Sequence, residues 1–435
     1  MTDAHALARR CLRAGIDAAH PETVIHERIT LDGSTLTIAD SSYDLDSYDD
    51  LLVVGGGNAA GTVAAELEGL LGDRLDGGVV VTDLPTETER IEQIEGTHPQ
   101  PSEEAVAGTE RLQELLATAT ERTLVLAVVT GGASALLPAP AAGLSLADLR
   151  ATTDELLASG ASIDELNTVR KHLSATKGGR LASAAAPATV AVLLFSDVVG
   201  DDTSVIGSGP FTADETTYAE ALAVADRYDL DLPTAVRNRL RVGRDGDNAE
   251  TPGADDPVFE RVYEHLLASN ATAAEAALET AQEAGYEPLL LSTRVRGEAR
   301  EAAKTAVAIG EEIAATGNPI EPPAVVVTGG ETTVTVRNET PGTGGPNTEY
   351  VLSAALELDT AGVVVAAVDT DGIDGHASVA GASIHADTVT REDRYAASRA
   401  LDSHDAATYL TEVGATIEMG ATGTNVNDLR VVIVT

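Results

Sequence analysis

The sequence predicts an α/β protein of two domains, the first built on a parallel sheet and the second smaller, with a mixed one. Three observations lead there. Apolar runs of strand length alternate with Ala-rich helical stretches, and small-residue turns close the runs. Between Arg241 and Pro257 the alternation breaks into Gly, Asp, Asn and Pro, the composition of an exposed linker. The third observation is length: 435 residues exceed one ordinary core and suit domains of roughly 100–200 residues. The linker sets the expected domains at 1–250 and 251–435.

In chain order, Leu51–Val54 reads as the first buried strand, Gly55–Gly57 as its turn, and the Ala-rich stretch through Leu71 as a helix. Gly78–Thr82, Leu124–Val129 and Thr189–Phe195 follow as strands, with helical acidic segments such as Thr212–Arg227 after them. Past the linker, Ala271–Ala284 and Gly297–Ala315 read as helices, and Pro288–Ser292, Ala324–Thr328, Gly362–Val368 and Val431–Val434 as strands. Thr332–Arg337 alternates Thr and Val, the pattern of a half-buried strand, which makes the second sheet mixed.

Composition narrows the partners. Hydrophobic residues make up 43%, but aromatics only 3% and Trp is absent, so the core is small and aliphatic, as in parallel sheets covered by Ala-rich helices. Against 70 acidic residues stand 28 basic ones, a formal charge of −42. That charge repels nucleic acid and anionic membranes and fits a halophilic cytoplasm, where salt screens self-repulsion. The acids are spread through helical segments instead of forming a disordered tail. The single cysteine, Cys11, excludes an intrachain disulfide framework and a Cys-based metal cluster. Residues Met1–Arg13 show no apolar core of a secretory signal, and no run reaches the ~20 residues that cross a bilayer. An intracellular, soluble protein is expected, its oligomeric state left open.

The candidate site residues sit in the loops after the strands, where ligands of such sheets bind. Gly55-Gly56-Gly57-Asn58-Ala59-Ala60-Gly61 is a glycine turn leading into a helix, suited to an anion at the helix N-terminus or to structure alone. A dinucleotide reading lacks a clear ribose-binding acid, since Asp83 after the next strand stands among Thr and Gly. In Thr130-Gly131-Gly132-Ala133-Ser134, the Ser134 hydroxyl and the Gly131 and Gly132 amides form an anion cradle; a nucleophilic Ser134 has no base marked out by a motif. Asn167–Arg180 gathers Arg170, Lys171, Lys177 and Arg180, with two of the chain's three lysines. In a chain that avoids lysine, this basic island points to phosphate or carboxylate binding, with plain surface salt bridges as the other reading. Asp197 and Asp202, after the strand Thr189–Phe195, are candidates for Mg²⁺ or for taking a proton. In the second domain, loops with Glu331, Asp371, Thr424 and Asn425 offer amides, hydroxyls and acids, and together with the basic island suggest a polar cleft between the domains.

Taken in order, Thr97-His98-Pro99, Gly131–Leu136, Asn167–Arg180, Ser196–Asp202 with Gly207–Pro210, Thr328–Val336, Asp369–Gly375 and Gly420–Leu429 resemble the glycerate 2-kinase family, whose C-terminal part is called MOFRL. The resemblance runs from about Leu51 to the C-terminus. It implies a Rossmann-like first domain, a smaller α/β second domain, a cleft, and transfer of a phosphoryl group from ATP, with a divalent cation, to the 2-hydroxyl of glycerate or a related hydroxy acid. Some relatives bear the name hydroxypyruvate reductase, which makes nicotinamide-dependent reduction the alternative, and a weakened binding protein a third. On this reading Lys171, Asp197 and Asp202 are catalytic, the two aspartates holding Mg²⁺. Asn58, His98, Gly131, Gly132, Ser134, Arg170, Lys177, Glu331, Asn347, Asp371, Thr424 and Asn425 bind substrate or phosphate. Two family cations are missing. Asn58 stands where a lysine is usual, and Gly344-Gly345-Pro346-Asn347 has Pro346 in place of an arginine, a loss of positive charge that should slow phosphoryl transfer.

Overall fold

The computed structural model describes residues 3–336 and 341–435. Two compact units emerge: Val24–Leu267, and Ala268–Thr435 together with the N-terminal stretch up to Thr23.

The Val24–Leu267 unit opens with a small antiparallel sheet, β1 (Ile29–Asp32), β2 (Thr35–Ile38) and β3 (Ser41–Asp44). Its short strands alternate Ser, Thr and Asp with single apolar residues, a signal too weak to read from sequence. Six strands then build the main sheet: β4 (Asp50–Gly56), β5 (Gly77–Thr82), β6 (Ile91–Glu95), β7 (Thr123–Val129), β8 (Thr189–Phe195) and β9 (Val262–Ala268), in the order β6-β5-β4-β7-β8-β9. From β6 to β8 every neighbouring pair is parallel. Helices Ala60–Leu71 and Glu103–Leu116 pack against β5 and its neighbours. β7 and β8 are buried along their whole length, which is why they read as unbroken Val/Leu runs. The chain leaves β4 toward β5 and β6 and later returns to β7 on the other side. The carboxyl ends of β4 and β7 are therefore the switch point of the sheet, the usual ligand position of a doubly wound fold.

Several boundaries differ from expectation. The acidic helix starts at Tyr218, not Thr212, because Thr217 caps it reciprocally with Glu220. The start of the Gly/Asp/Asn/Pro stretch still belongs to helix Thr234–Arg244.

In the other unit, β10 (Glu287–Val295), β11 (Ala324–Gly330), β12 (Val363–Asp369), β13 (Gly381–His385), β14 (Thr416–Ile417) and β15 (Asp428–Val434) form a sheet ordered β10-β11-β15-β12-β13-β14. Only β10 and β11 are parallel; the remaining pairs are antiparallel, so the sheet is mixed as predicted, though for another reason. The expected strand at Thr332–Arg337 is absent over residues 332–336, where Thr333 makes a single bridge to Glu298. Arg337 lies outside the described residues. The N-terminal helix Asp3–Ala18 packs on helix Asn270–Glu283 and on β15. Its Gly15 permits the approach, since a Cβ there would stand 2.6 Å from the Ala273 carbonyl oxygen. His5 Nδ1 and Ser383 Oγ add a buried hydrogen bond of 2.7 Å.

Candidate active site

The carboxyl edge of the parallel sheet carries the first group of predicted residues. After β4, Asn58 donates its backbone N–H to the Gly131 carbonyl at 2.8 Å, and Ala59 donates to Thr130 Oγ1 at 3.2 Å, so the two loops are laced together. Gly132 sits in the left-handed region at φ 78°, and a Cβ there would lie 1.9 Å from Asn58 Oδ1. That oxygen is buried and has no hydrogen-bond partner. The N–H groups of Gly131 and Gly132 make no hydrogen bond within the described residues. Two donors and one acceptor therefore remain open at the switch point. Asp197, just past β8, is half-buried with its carboxylate against the Cα of Gly131, and burial pushes its pKa up to about 6.

A pocket of about 220 Å³ in the same unit brings together His98, Ser134, Arg170 and Lys177. Helix Ile163–His172, capped by Ser162 with Glu165, delivers Arg170 in its last turn. Lys177 follows in the turn behind it and donates its Nζ to the Ser134 carbonyl at 2.7 Å. Neither Arg170 nor Lys177 has a carboxylate partner among the described residues. Burial, with repulsion from Arg170, pulls Lys177 down to about 7. Ser134 Oγ meets Ser208 Oγ at 2.7 Å, and Ser208 donates to Asn167 Oδ1 at 3.0 Å. Ser208 is fully buried with φ 65°, a strained conformation for a residue with a Cβ. The imidazole of His98 is lowered by desolvation, with Asp83 opposing.

Other predicted residues stand apart from this group. Lys171 does not line the pocket. Its Nζ donates to Asp214 Oδ1 at 3.1 Å, both side chains are almost fully buried, and Thr251 and Thr216 complete the shell around the carboxylate. Lys171, expected to be catalytic, is thus held in an ion pair with Asp214 outside the pocket. Asp202 is exposed, and its Oδ1 accepts the Ser204 N–H at 2.9 Å, closing its own turn. Among the described residues no group of three or more His, Cys, Asp or Glu side chains is arranged to hold a metal. The dinucleotide argument also changes. Asp83 directly follows β5, next to β4, and its Oδ1 is buried without a partner.

In the Ala268–Thr435 unit, Asn347 is fully buried and donates its side-chain amide to Asp428 at 2.6 Å and to Asp374 at 3.3 Å. Asp374 also caps helix Pro346–Glu357 by accepting the N–H groups of Asn347 and Thr348. Asp371 is half-buried, accepts the Ile373 N–H at 2.7 Å, and is raised by burial; Asp369 beside it is raised further. Thr424 spends its hydroxyl on the Ala19 carbonyl at 2.7 Å, and Asn425 Oδ1 accepts the Asn427 N–H. Glu331 is exposed just after β11. The free thiol Cys11 is buried and raised to about 11. Among the described residues no helix is long and apolar enough to cross a membrane.

This fold, with open donors at its switch point and, in a nearby pocket, two cations unpaired among the described residues, is that of an α/β enzyme. A family model described as a domain of unknown function (DUF4147) matches residues 7–241, and a MOFRL family model matches 324–428. The chain is 42% identical over 388 residues to an Agrobacterium vitis protein named "Putative hydroxypyruvate reductase", covering 88% of this chain and 87% of that protein. It is 37% identical to the glycerate 2-kinase of Pyrococcus horikoshii, over 100% of this chain and 98% of the relative. The crystal structure of a glycerate kinase from Thermotoga maritima superposes with a TM-score of 0.85 at 32% identity, covering 99% of each chain. The chain belongs to the glycerate 2-kinase family, and the protein is a kinase of that family's type.

Proposed function

We propose that the protein transfers the γ-phosphoryl group of ATP to the 2-hydroxyl of glycerate or a related small hydroxy acid. The observation that carries this reading is the pairing of half-buried Arg170 with buried Lys177, two cations without carboxylate partners among the described residues, in one pocket with Ser134. Unneutralised buried cations are costly unless an anion completes them. Here they receive carboxylate or phosphate charge, and the Gly131 and Gly132 amides cradle a phosphate oxygen. The 2-hydroxyl oxygen attacks the γ-phosphorus, its proton passes to the Asp197 carboxylate, and the bond from phosphorus to the bridging oxygen of ADP breaks. Charge spread over the transferring group is what the cations stabilise.

Mg²⁺ fits this edge as an ion carried by the nucleotide, since it takes one or two carboxylates besides phosphate oxygens. Asp202, exposed and with only Oδ1 engaged in its own turn, would hold it there, leaving Asp197 to take the proton; bound, the ion supplies positive charge to the phosphates. Cytoplasmic work at high salt completes the proposal and rests on the charge of −42.

The test is purified protein in molar KCl with ATP, Mg²⁺ and a panel of hydroxy acids. Acid-dependent ADP release supports the proposal, and its absence with every acid sinks it. Asp83 behind β5 favours one second reading, reduction of hydroxypyruvate with a nicotinamide cofactor, because that is where a ribose-binding acid sits. NADH or NADPH oxidation by hydroxypyruvate in the same buffer decides it.

A further inference from the structure

We infer that the acid pocket of the Val24–Leu267 unit selects a 2-hydroxy acid with an apolar substituent in place of the 3-hydroxyl of glycerate. The inference rests on the reading of this pocket as the acid site and goes on to its substrate class. The charged groups lie together, where Lys177 touches Ser134 and feels the charge of Arg170. Pro99, Pro101, Pro138, Leu149, Leu157 and Leu173 make up most of the remaining wall.

The polar atoms within that wall are largely spent. Thr152 Oγ1 donates to the Asp148 carbonyl at 2.8 Å, and Ser174 Oγ engages Thr176 and the Lys177 N–H. The Pro101 carbonyl is taken by Arg150 at 2.9 Å. Thr153 is the wall hydroxyl without a partner among the described residues. Every carbon of glycerate carries oxygen, so once its carboxylate and 2-hydroxyl lie at the cationic end, the 3-hydroxyl faces a wall mostly of proline and leucine, in which Thr153 and His98 are the polar side chains left open among the described residues. A buried hydroxyl without a partner loses its water and gains little. An alkyl group in the same place is desolvated favourably. Leu157 supports this reading: it is 63% exposed, unusual for a leucine, and forms the lip of the pocket on helix Leu146–Ser159.

The reaction stays that of the proposed kinase. The 2-hydroxyl oxygen of the alkyl acid gains the phosphoryl group, ADP leaves, and the hydroxyl proton goes to Asp197.

The experiment compares kcat/KM for glycerate, lactate, 2-hydroxybutanoate and 2-hydroxy-3-methylbutanoate, each enantiomer separately, with ATP and Mg²⁺ in molar KCl. Roughly 10- to 100-fold preference for an alkyl acid over glycerate is expected, the range an apolar pocket achieves against an added hydroxyl. Leu157→Asn at the exposed lip should bring that ratio down several-fold, with an unchanged melting temperature showing that the fold persists. Preference for glycerate overturns the inference and leaves the kinase reading intact. A rise in the KM for ATP in Leu157→Asn, with the acid ratio unmoved, also overturns it, because the pocket then holds the nucleotide base. If no acid is phosphorylated the kinase reading fails, and calorimetric titration with the same acids decides the inference alone: tighter binding of the alkyl acids supports it, equal or weaker binding overturns it.

Discussion

Two lysines six positions apart in the basic island carry opposite duties, and substitution separates them. Lys171→Met leaves Asp214 buried without its counter-charge, since both partners are nearly inaccessible. A destabilisation of about 3–5 kcal/mol is expected, read by denaturant unfolding in KCl. Lys177→Met should lower turnover by at least ~10²-fold, the scale of losing one preorganised charge in such a site. Its effect on stability has a definite sign. The folded pKa is pulled from 10.5 down to about 7, so between these values the unfolded chain binds more protons and stability rises with pH. Unfolding free energies at pH 6.5 and 9 should differ less in Lys177→Met than in the native protein. Activity is bounded on both sides. Asp197 must be ionised, which fails as pH falls through about 6, and Lys177 charged, which fails as pH rises through about 7. A bell-shaped kcat/KM profile with its maximum between those values is expected; a flat profile from pH 5.5 to 8 removes both groups from the mechanism.

At the scale of elements, the switch point depends on the turns after β4 and β7 holding each other. Gly132→Ala adds left-handed strain, of order 1–3 kcal/mol, and drives a methyl group into the Asn58 side-chain oxygen. Gly143→Ala has comparable strain at φ 85° but open space around it. Melting temperatures should fall in both, and kcat/KM should fall at least 10-fold only in Gly132→Ala. Equal activity in the two variants would show that the Asn58 contact does not shape the site.

For the whole molecule the dominant force is self-repulsion. A charge of −42 is screened over about 3 Å in molar salt but over about 30 Å at ~0.01 M. The melting temperature should therefore drop on removing KCl. No change across that range would exclude adaptation to a salt-rich cytoplasm, whereas recovery with a neutral osmolyte instead of salt would point to hydration as the cause. The surface ion pairs, such as Arg122 with Asp49, are exposed and offset little of this repulsion.

The sequence by itself determined the α/β class, the strands β4, β5, β7, β8, β10, β11, β12 and β15, and the loops that bear the candidate site. Buried parallel or central strands must be continuously apolar, and the turn that follows each is marked by Gly, Ser or Asp. It also determined the charge and the family. β1–β3 and β13 escaped it, because strands of four or five residues carry too little pattern to separate from loop. Only the tertiary structure decided which cation of the island is paired with a carboxylate. The partner of Lys171 is Asp214, 43 residues later, and no local spacing announces a contact that distant. It likewise joined helix Asp3–Ala18 to the unit formed by the C-terminal half and put Asp83 beside the first glycine turn. Local residue type fixes what a segment can become; packing between segments remote in sequence fixes which of its charges are neutralised and which remain for a ligand.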